Sequence, residues 1–454
     1  MVPGARLTRR ALRQLVSTPG RAVAVGFAGA IAVTTALLSL PVASAGDRST
    51  SLLEAVFTAT SAVCVTGLVV VDTPEHFSLF GELVLMGAIQ VGGVGIMTLA
   101  SLLGLLVFRR LGLRSRMSAA AETKALGLGD VRRVLRSVVL FSAFFELLAA
   151  TALTLRWLTT YDEPLGRAAY LGAFHAVSAF NNAGFALFSD NMIGFVDDPV
   201  ISLTLCAAVI AGGLGFPVLH ELRRELGRPR DWTLHTRLVV WTTLLLLVLG
   251  PAAVTALEWS NAGTLGSLGV PAKLVAGFFL GVMPRTAGFN SIDYAAAEPA
   301  TLLVTDMLMF IGGAPAGTAG GIKVTTFALL AYVILAEARG TPDVHVSGRR
   351  LPSSVQRQAL SVALLGVGLV AGATVLLLVL SRLPLDVVLF EVVSAFATVG
   401  LSTGITADLP SSGQLLLIVL MFVGRLGPVT LASALALRTR PRLYRLPEER
   451  PIVG

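Results

Sequence analysis

The chain has 454 residues, of which 54% are hydrophobic and only 14% charged, against about 25% charged in an ordinary soluble domain. This excludes a soluble multidomain protein, and two cysteines, Cys64 and Cys206, exclude a disulfide framework or a cysteine metal cluster. The formal net charge of +8 does not point to nucleic acid, because the basic residues recur in short loops between apolar runs.

Many of those runs reach the roughly 20 residues a bilayer span requires. Residues 1–20, with Arg6, Arg9, Arg10 and Arg13, read as a cytoplasmic N-terminal segment. A first helix is predicted over 21–41. Ala43-Ser44-Ala45 resembles a signal-peptidase site, but the apolar run from Ala22 to Leu40 exceeds the usual signal core of about 7–15 residues, so the helix is read as retained. A short helix at 50–62, a loop at 63–68 and a long helix at 78–108 complete a first repeat, 21–108.

The pattern returns three times. Residues 109–225 hold a basic loop and helices near 134–157, 166–180 and 199–225. Residues 226–337 hold helices near 237–257 and 271–284 and a broken inner segment at 300–337. Residues 338–436 hold a loop and helices at 358–381, 386–397 and 412–436, before a cytoplasmic tail at 437–454. The second helix of each set is too short to span, and a helix that stops at membrane depth must line a watery cavity or be buried in protein. The fold predicted is an all-α integral membrane protein. It has four tandem outer helix–pore helix–filter–inner helix repeats with pseudo-four-fold symmetry around one pore.

Charge sets the orientation. Arg109, Arg110, Arg114, Arg116, Arg132, Arg133 and Arg136 follow the first repeat, and Arg223, Arg224, Arg228, Arg230 and Arg237 the second. Arg339, Arg349, Arg350 and Arg357 follow the third, and Arg438, Arg440, Arg442 and Arg445 the fourth. The alternate loops are mostly acidic, with Asp72, Glu75, Asp162, Glu163, Asp190, Asp197, Asp198, Asp293, Glu298 and Asp408. The positive-inside rule makes the basic loops and both termini cytoplasmic, and all four repeats then share one orientation. Trp157, Trp232, Trp241 and Trp259 fall near predicted helix ends, as an interfacial belt requires.

The loops after the short helices carry one glycine each, in Val65-Thr66-Gly67, Asn182-Ala183-Gly184, Thr286-Ala287-Gly288 and Thr398-Val399-Gly400. A further glycine follows each at nearly the same distance: Gly92, Gly212, Gly312 and Gly424. A dehydrated cation needs inward-turned carbonyls in place of its water, and glycine reaches the backbone angles that turn them. One glycine alone would read as a helix-packing or turn residue; four in register read as a K⁺ filter. Thr398-Val399-Gly400 matches the core of the tetrameric-channel filter, yet no repeat has that filter's second glycine. Looser discrimination between K⁺ and Na⁺ is therefore expected.

The third inner segment contains Gly312, Gly313, Gly317, Thr318, Ala319, Gly320 and Gly321 around Pro315, and ends at Lys323. Such a stretch cannot hold a regular helix, and it reads as a mobile gate below the filter or as a passive kink. Arg425, at the equivalent place in repeat four, would either limit conduction and touch this loop, or snorkel and pair structurally. Arg285, just before the third filter segment, is expected to brace it through a carboxylate.

With these motifs the chain resembles the Trk/Ktr/HKT superfamily of potassium transporters, nearest to the Ktr-type membrane subunits. The residues that carry the resemblance run from Thr58 to Ala62 and Val65 to Leu68, Ile89 to Gly95, Phe180 to Phe185, Arg285 to Asn290, Thr318 to Lys323 and Gly424 to Pro428. The resemblance implies a homodimer with one pore per protomer in the plasma (inner) membrane. It implies a cytoplasmic ring of nucleotide-binding RCK subunits, KtrA-like or TrkA-like, with ATP or ADP on the ring governing the intramembrane loop. It implies K⁺ as the transported ion and no cofactor on this chain, with membrane lipids as neighbours and no nucleic acid. Relatives with serine at the first filter position admit Na⁺, so Gly67 implies a K⁺ preference. Gly317 departs from the family's usual serine, which could weaken closure.

Two other classes fit less well. A proton- or sodium-coupled carrier predicts intramembrane carboxylates as relays, and the spans are nearly free of them, with Glu146, Asp306 and Glu391 the main exceptions. The conducting subunit of an ATP-driven pump would need an ATPase partner. No clustered nucleophile, acid–base pair or phosphate loop suggests an enzyme.

Overall fold

The computed structural model describes residues 19–46, 48–115 and 128–437. Arg116, the N-terminal arginines and the C-terminal tail arginines lie outside the described residues. The helices in chain order are α1 Pro19–Leu38, α2 Leu52–Val63, α3 Thr73–His76, α4 Leu79–Ser115, α5 Leu128–Thr160, α6 Leu165–Asn181, α7 Pro199–Leu214 and α8 Phe216–Glu225. They continue as α9 Leu234–Glu258, α10 Val270–Val282, α11 Pro299–Phe310, α12 Val324–Ala338, α13 Ser353–Ser381, α14 Leu385–Ala397 and α15 Ser411–Leu437. A two-residue antiparallel hairpin, β1 His345–Val346 with β2 Arg349–Arg350, was not expected and joins α12 to α13.

Burial divides the helices into two layers. Large apolar side chains face outward on α1, α5, α9 and α13, with Val33, Leu147, Val248 and Val379 all more than 60% exposed. The inner layer holds α2, α6, α10 and α14, whose buried positions are mostly small or aromatic, such as Ala55, Ala59, Ala176, Ala276 and Ala395. Among the described residues, four helices are long and apolar enough to cross a membrane: Leu79–Leu102, Val134–Thr160, Leu234–Glu258 and Ser353–Ser381. α2, α10 and α14 have 12, 13 and 13 residues, about 18–20 Å, which is short of a bilayer core of about 30 Å.

The first helix is a packed member of the bundle, against α2 and α4. The stretch after it is tied in by Ser78 N to Ala43 O and Ala45 N to His76 O, both 2.9 Å. Both cysteines are free and buried in the core.

Two expectations need correction. The inner segment at 199–225 is not one helix, because α7 and α8 meet at a 99° bend. Gly215, at φ 77, makes the turn and Pro217 starts the next helix. Trp157 is no interfacial anchor; it is 1% exposed and packs on His175, Phe188 and Phe195. Trp241 and Trp259 are exposed.

Asp198, in the loop before α7, ties that helix to α5. Its carboxylate accepts from Val200 N at 2.9 Å, Ile201 N at 3.2 Å, Arg156 Nε at 2.8 Å and Tyr161 Oη at 3.0 Å. Burial pushes this carboxyl up, but the Arg156 bond and the other donors outweigh it and hold the group below its usual range. A lowered folded value stabilises the protein above the unfolded value of about 4, and the contribution is lost as pH falls through the folded one. Thermal unfolding in detergent should therefore show acid sensitivity below about pH 4. Asp198→Asn keeps a capping oxygen but loses the charged bond to Arg156, and should flatten that limb at a cost of about 1.5–3 kcal/mol. An unchanged acid limb in the variant would show that other carboxylates set it.

Candidate functional site: a ring of four glycine segments and the loop behind it

Each inner-layer helix ends in the same backbone turn. The residue two before each glycine is left-handed: Val65 (φ 56), Asn182 (φ 61), Thr286 (φ 73) and Thr398 (φ 51). The glycines themselves also have positive φ: 98 at Gly67, 70 at Gly184, 75 at Gly288 and 97 at Gly400. A side chain costs about 1–2 kcal/mol in the left-handed region, so this repeated pair of turns needs outside support. Ser61 and Ser394 supply part of it. Their hydroxyls accept from Gly67 N and Gly400 N, each at 3.0 Å. Sequence reasoning missed both serines, although each stands six residues before its glycine. The third segment has Val282 there and closes instead through Ala287 N to Met283 O at 2.9 Å.

The four glycines meet in a closed ring. A Cβ on Gly67 would lie 2.3 Å from Ala183 O, and one on Gly184 would lie 2.7 Å from Ala287 O. One on Gly288 would lie 2.2 Å from Val399 O, and one on Gly400 would lie 2.1 Å from Thr66 O. Every segment touches the next in chain order, and the fourth returns to the first. The downstream glycines explain themselves in the same way. A Cβ on Gly92, Gly212 or Gly424 would meet Val63 O, Phe180 O or Phe396 O at 2.1, 1.9 and 1.7 Å. Each lets a long helix press against the last turn that feeds the ring. Gly312 meets Gly320 O instead, because its helix is broken there.

On one side of the ring lies a cavity of about 450 Å³, lined by Gly67, Gly184 and Gly400 together with Asp72, Asp190 and Asp293. Among the described residues no basic side chain lines it. Fixed negative charge in such a concavity raises the local cation concentration.

Residues 311–323, between α11 and α12, pack against the residues that lead into the ring. A parallel bridge pairs Ile311 with Ile322, Gly312 N donates to Ile322 O at 2.9 Å, and Val324 N donates to Gly313 O at 3.0 Å. The loop seats on the α7–α8 bend through Ala314 N to Gly213 O (2.9 Å) and Thr318 N to Gly212 O (3.0 Å). A Cβ on Gly317 would lie 2.7 Å from Gly213 O, so the missing side chain is what permits this seating. The loop also reaches the ring segments. Thr318 Oγ1 donates to Phe180 O at 3.1 Å, and Gly320 N donates to Thr286 Oγ1 at 3.1 Å. A Cβ on Gly320 would meet Ala397 O at 2.3 Å. Lys323 turns back on the loop, with Nζ donating to Ala319 O at 2.6 Å and Gly320 O at 3.3 Å.

Arg425, 3% exposed, reaches the loop from α15, and its Nη1 donates to Thr318 O at 2.6 Å. Its Nε and Nη2 have no hydrogen-bond partner. Arg285 is buried, and its expected carboxylate brace is absent: it makes no ion pair among the described residues and its Nε is unpartnered. It lines a small cavity with Asn182, Thr243 and Gly313.

Sequence reasoning also missed how the interior carboxylates are used. Glu146 accepts from Ser142 Oγ (2.7 Å), Gln90 Nε2 (3.2 Å) and Asn181 Nδ2 (3.2 Å), beside the second ring segment. Glu391 accepts from Ser402 and Thr406 after the fourth. Both are satisfied acceptors, whereas Asp306 Oδ1 is buried without a partner.

An apolar rim, several membrane-length helices and a ring of backbone turns with an acidic mouth define a polytopic helical membrane protein. Residues 17–440 match the family of TrkH cation transport proteins, and the chain belongs to that family, a family of transporters and not of enzymes. It is 39% identical to Ktr system potassium uptake protein B of Bacillus subtilis, over 96% of this chain and 97% of that protein. It is also 39% identical to the protein of that name from Vibrio alginolyticus, over 96% and 94%. It is 33% identical to the potassium/sodium uptake protein NtpJ of Enterococcus hirae, over 99% and 100%. The fold resembles the crystal structure of the potassium transporter TrkH from Vibrio parahaemolyticus, with a TM-score of 0.68 and 20% identity over 89% of this chain and 83% of that one.

Proposed function

We propose that this chain is a potassium uptake subunit that conducts K⁺ through the glycine ring and is gated by the loop at 311–323. The observation that carries the reading is the closed ring. Four left-handed turns, each with its glycine against the next segment's carbonyl, are what one chain needs to assemble a four-fold carbonyl filter. The names of its relatives at 39% identity supply the ion.

In this reading each repeat is an outer helix, a pore helix, a filter segment and an inner helix. The filter residues are Val65, Thr66 and Gly67; Asn182, Ala183 and Gly184; Thr286, Ala287 and Gly288; and Thr398, Val399 and Gly400. Asp72, Asp190 and Asp293 gather cations at the outer mouth. The loop from Gly312 to Lys323, held by Arg425, blocks the inner side. Opening means moving it off the α7–α8 bend, which costs a small number of backbone hydrogen bonds. The basic loops, both termini and a regulatory RCK ring carrying ATP or ADP belong to the cytoplasmic face of the plasma membrane, and the working unit is a homodimer.

Expression with a matching ring subunit in a bacterial host that lacks its own K⁺ uptake should restore growth at limiting K⁺. Failure by correctly inserted protein to restore it would sink the potassium reading.

A further inference from the structure

Two polar side chains sit inside the pore-helix layer at one equivalent position. Glu391 stands nine residues before Gly400, and His175 stands nine before Gly184. Both are 0% exposed, and neither is in an ion pair among the described residues. Each reaches the chain that has just left the filter glycine. Glu391 Oε2 accepts from Ser402 Oγ at 2.8 Å, and its Oε1 accepts from Thr406 Oγ1. Ser402 Oγ in turn accepts from Gly404 N at 2.9 Å. His175 Nε2 accepts from Leu187 N at 3.2 Å, and its Nδ1 donates to Leu171 O at 2.8 Å. These two bonds fix the tautomer, with the proton on Nδ1.

The other two segments differ. The matching residues are Thr58, whose hydroxyl has no partner, and Phe279, which is buried and apolar. Packing therefore does not demand a polar group at this position. A buried polar or ionised side chain costs free energy unless it is bonded, so a large polar side chain bonded beyond its own helix in two of the four segments needs another reason. In the order of ring contacts those two segments lie diagonally opposite. Their post-filter chains line the outer cavity through Gly184, Ala186, Gly400, Ser402 and Thr406. A filter that lacks a second glycine per segment has few ion sites, and its discrimination depends on whether its carbonyls can follow a smaller ion inward.

We propose that His175 and Glu391 are positioning residues that hold the outer ends of two diagonal filter segments and thereby set the preference for K⁺ over Na⁺. The proposal rests on the filter reading above. Neither side chain touches the ion; His175 acts through Leu187 N, and Glu391 through Ser402 and Thr406.

The test is uptake of radioactive rubidium into proteoliposomes, with K⁺ and Na⁺ as competitors, read as the ratio of the two inhibitory concentrations. Glu391→Ala and His175→Phe should each shift that ratio towards Na⁺ by about fivefold, the worth of one lost buried bond. Phenylalanine already occupies the same position in the third segment, so His175→Phe is not a packing change of a new kind. Glu391→Gln keeps an acceptor and should retain most of the preference. The pair Ser402→Ala with Thr406→Val should reproduce Glu391→Ala while the glutamate is intact, which covers a glutamate variant that fails to fold. Gly184→Ala serves as the filter control and should shift the ratio. A shift in that control, with a wild-type ratio in Glu391→Ala, His175→Phe and the Ser402/Thr406 pair, would overturn the proposal and leave the filter standing. No shift even in Gly184→Ala would remove the filter reading and the proposal with it.

Discussion

Gly400→Ala is expected to reduce K⁺ flux by at least about tenfold while the protein still inserts and folds. The added Cβ would stand 2.1 Å from Thr66 O and 2.9 Å from Gly67 Cα. Both obstacles are backbone, which cannot rotate away as a side chain can. The residue would also be held at φ 97, outside the left-handed well that an alanine tolerates at about 1–2 kcal/mol. Either the fourth segment backs out of the ring or the first does, and the carbonyl cage opens. The geometry orders the series. Gly67→Ala shares the extreme φ, 98, with a clash at 2.3 Å, while Gly184→Ala has φ 70 and the loosest contact, 2.7 Å. Rubidium uptake, normalised to inserted protein, should therefore fall least in Gly184→Ala. Wild-type flux in Gly400→Ala would mean that the ring is not the conducting path.

Arg425→Ala is expected to have the opposite sign. The guanidinium is buried, bonds only Thr318 O through Nη1, and makes no ion pair among the described residues. A cation passing about 4 Å from it would meet a repulsion of about 4 kcal/mol at an effective dielectric near 20. Its removal erases that barrier and one clamp on the loop, so flux without any activating partner should rise by about tenfold or more. Arg425→Lys keeps the charge but loses the planar fork, and should stay near wild type if charge is the barrier. Unchanged basal flux in Arg425→Ala would show the loop alone to be the obstruction.

The helical pattern, the four short helices and their glycines were legible because each rests on local chemistry: apolar run length, and one residue type that tolerates positive φ. The break at 311–323 was legible for the same reason, since a proline and five glycines leave no regular helix. The bend at Gly215 was not, although Gly212, Gly213, Gly215 and Pro217 stand within six residues, because the apolar run on either side of them reads as one continuous span. Its cause is tertiary: a Cβ there would lie 2.7 Å from Gly317 N, so the bend exists to receive the loop. Trp157 was misread because the end of a spanning helix suggests an interface, whereas His175 on α6 and the phenylalanines after the second glycine segment cover it. The carboxylate sought for Arg285 illustrates the limit of charge counting. Pairing depends on which segments face one another: Glu146 and Glu391 are spent on Gln90, Asn181, Ser402 and Thr406, and Asp306, with Oδ1 unpartnered, makes no ion pair with Arg285.

The most direct test of the account is downhill rubidium uptake into proteoliposomes with no proton or sodium gradient imposed. The account predicts uptake driven by the rubidium gradient alone, inhibited more strongly by K⁺ than by Na⁺ and diminished in Gly400→Ala. Uptake that requires an imposed proton or sodium gradient and is indifferent to Gly400→Ala would contradict it and favour a coupled carrier.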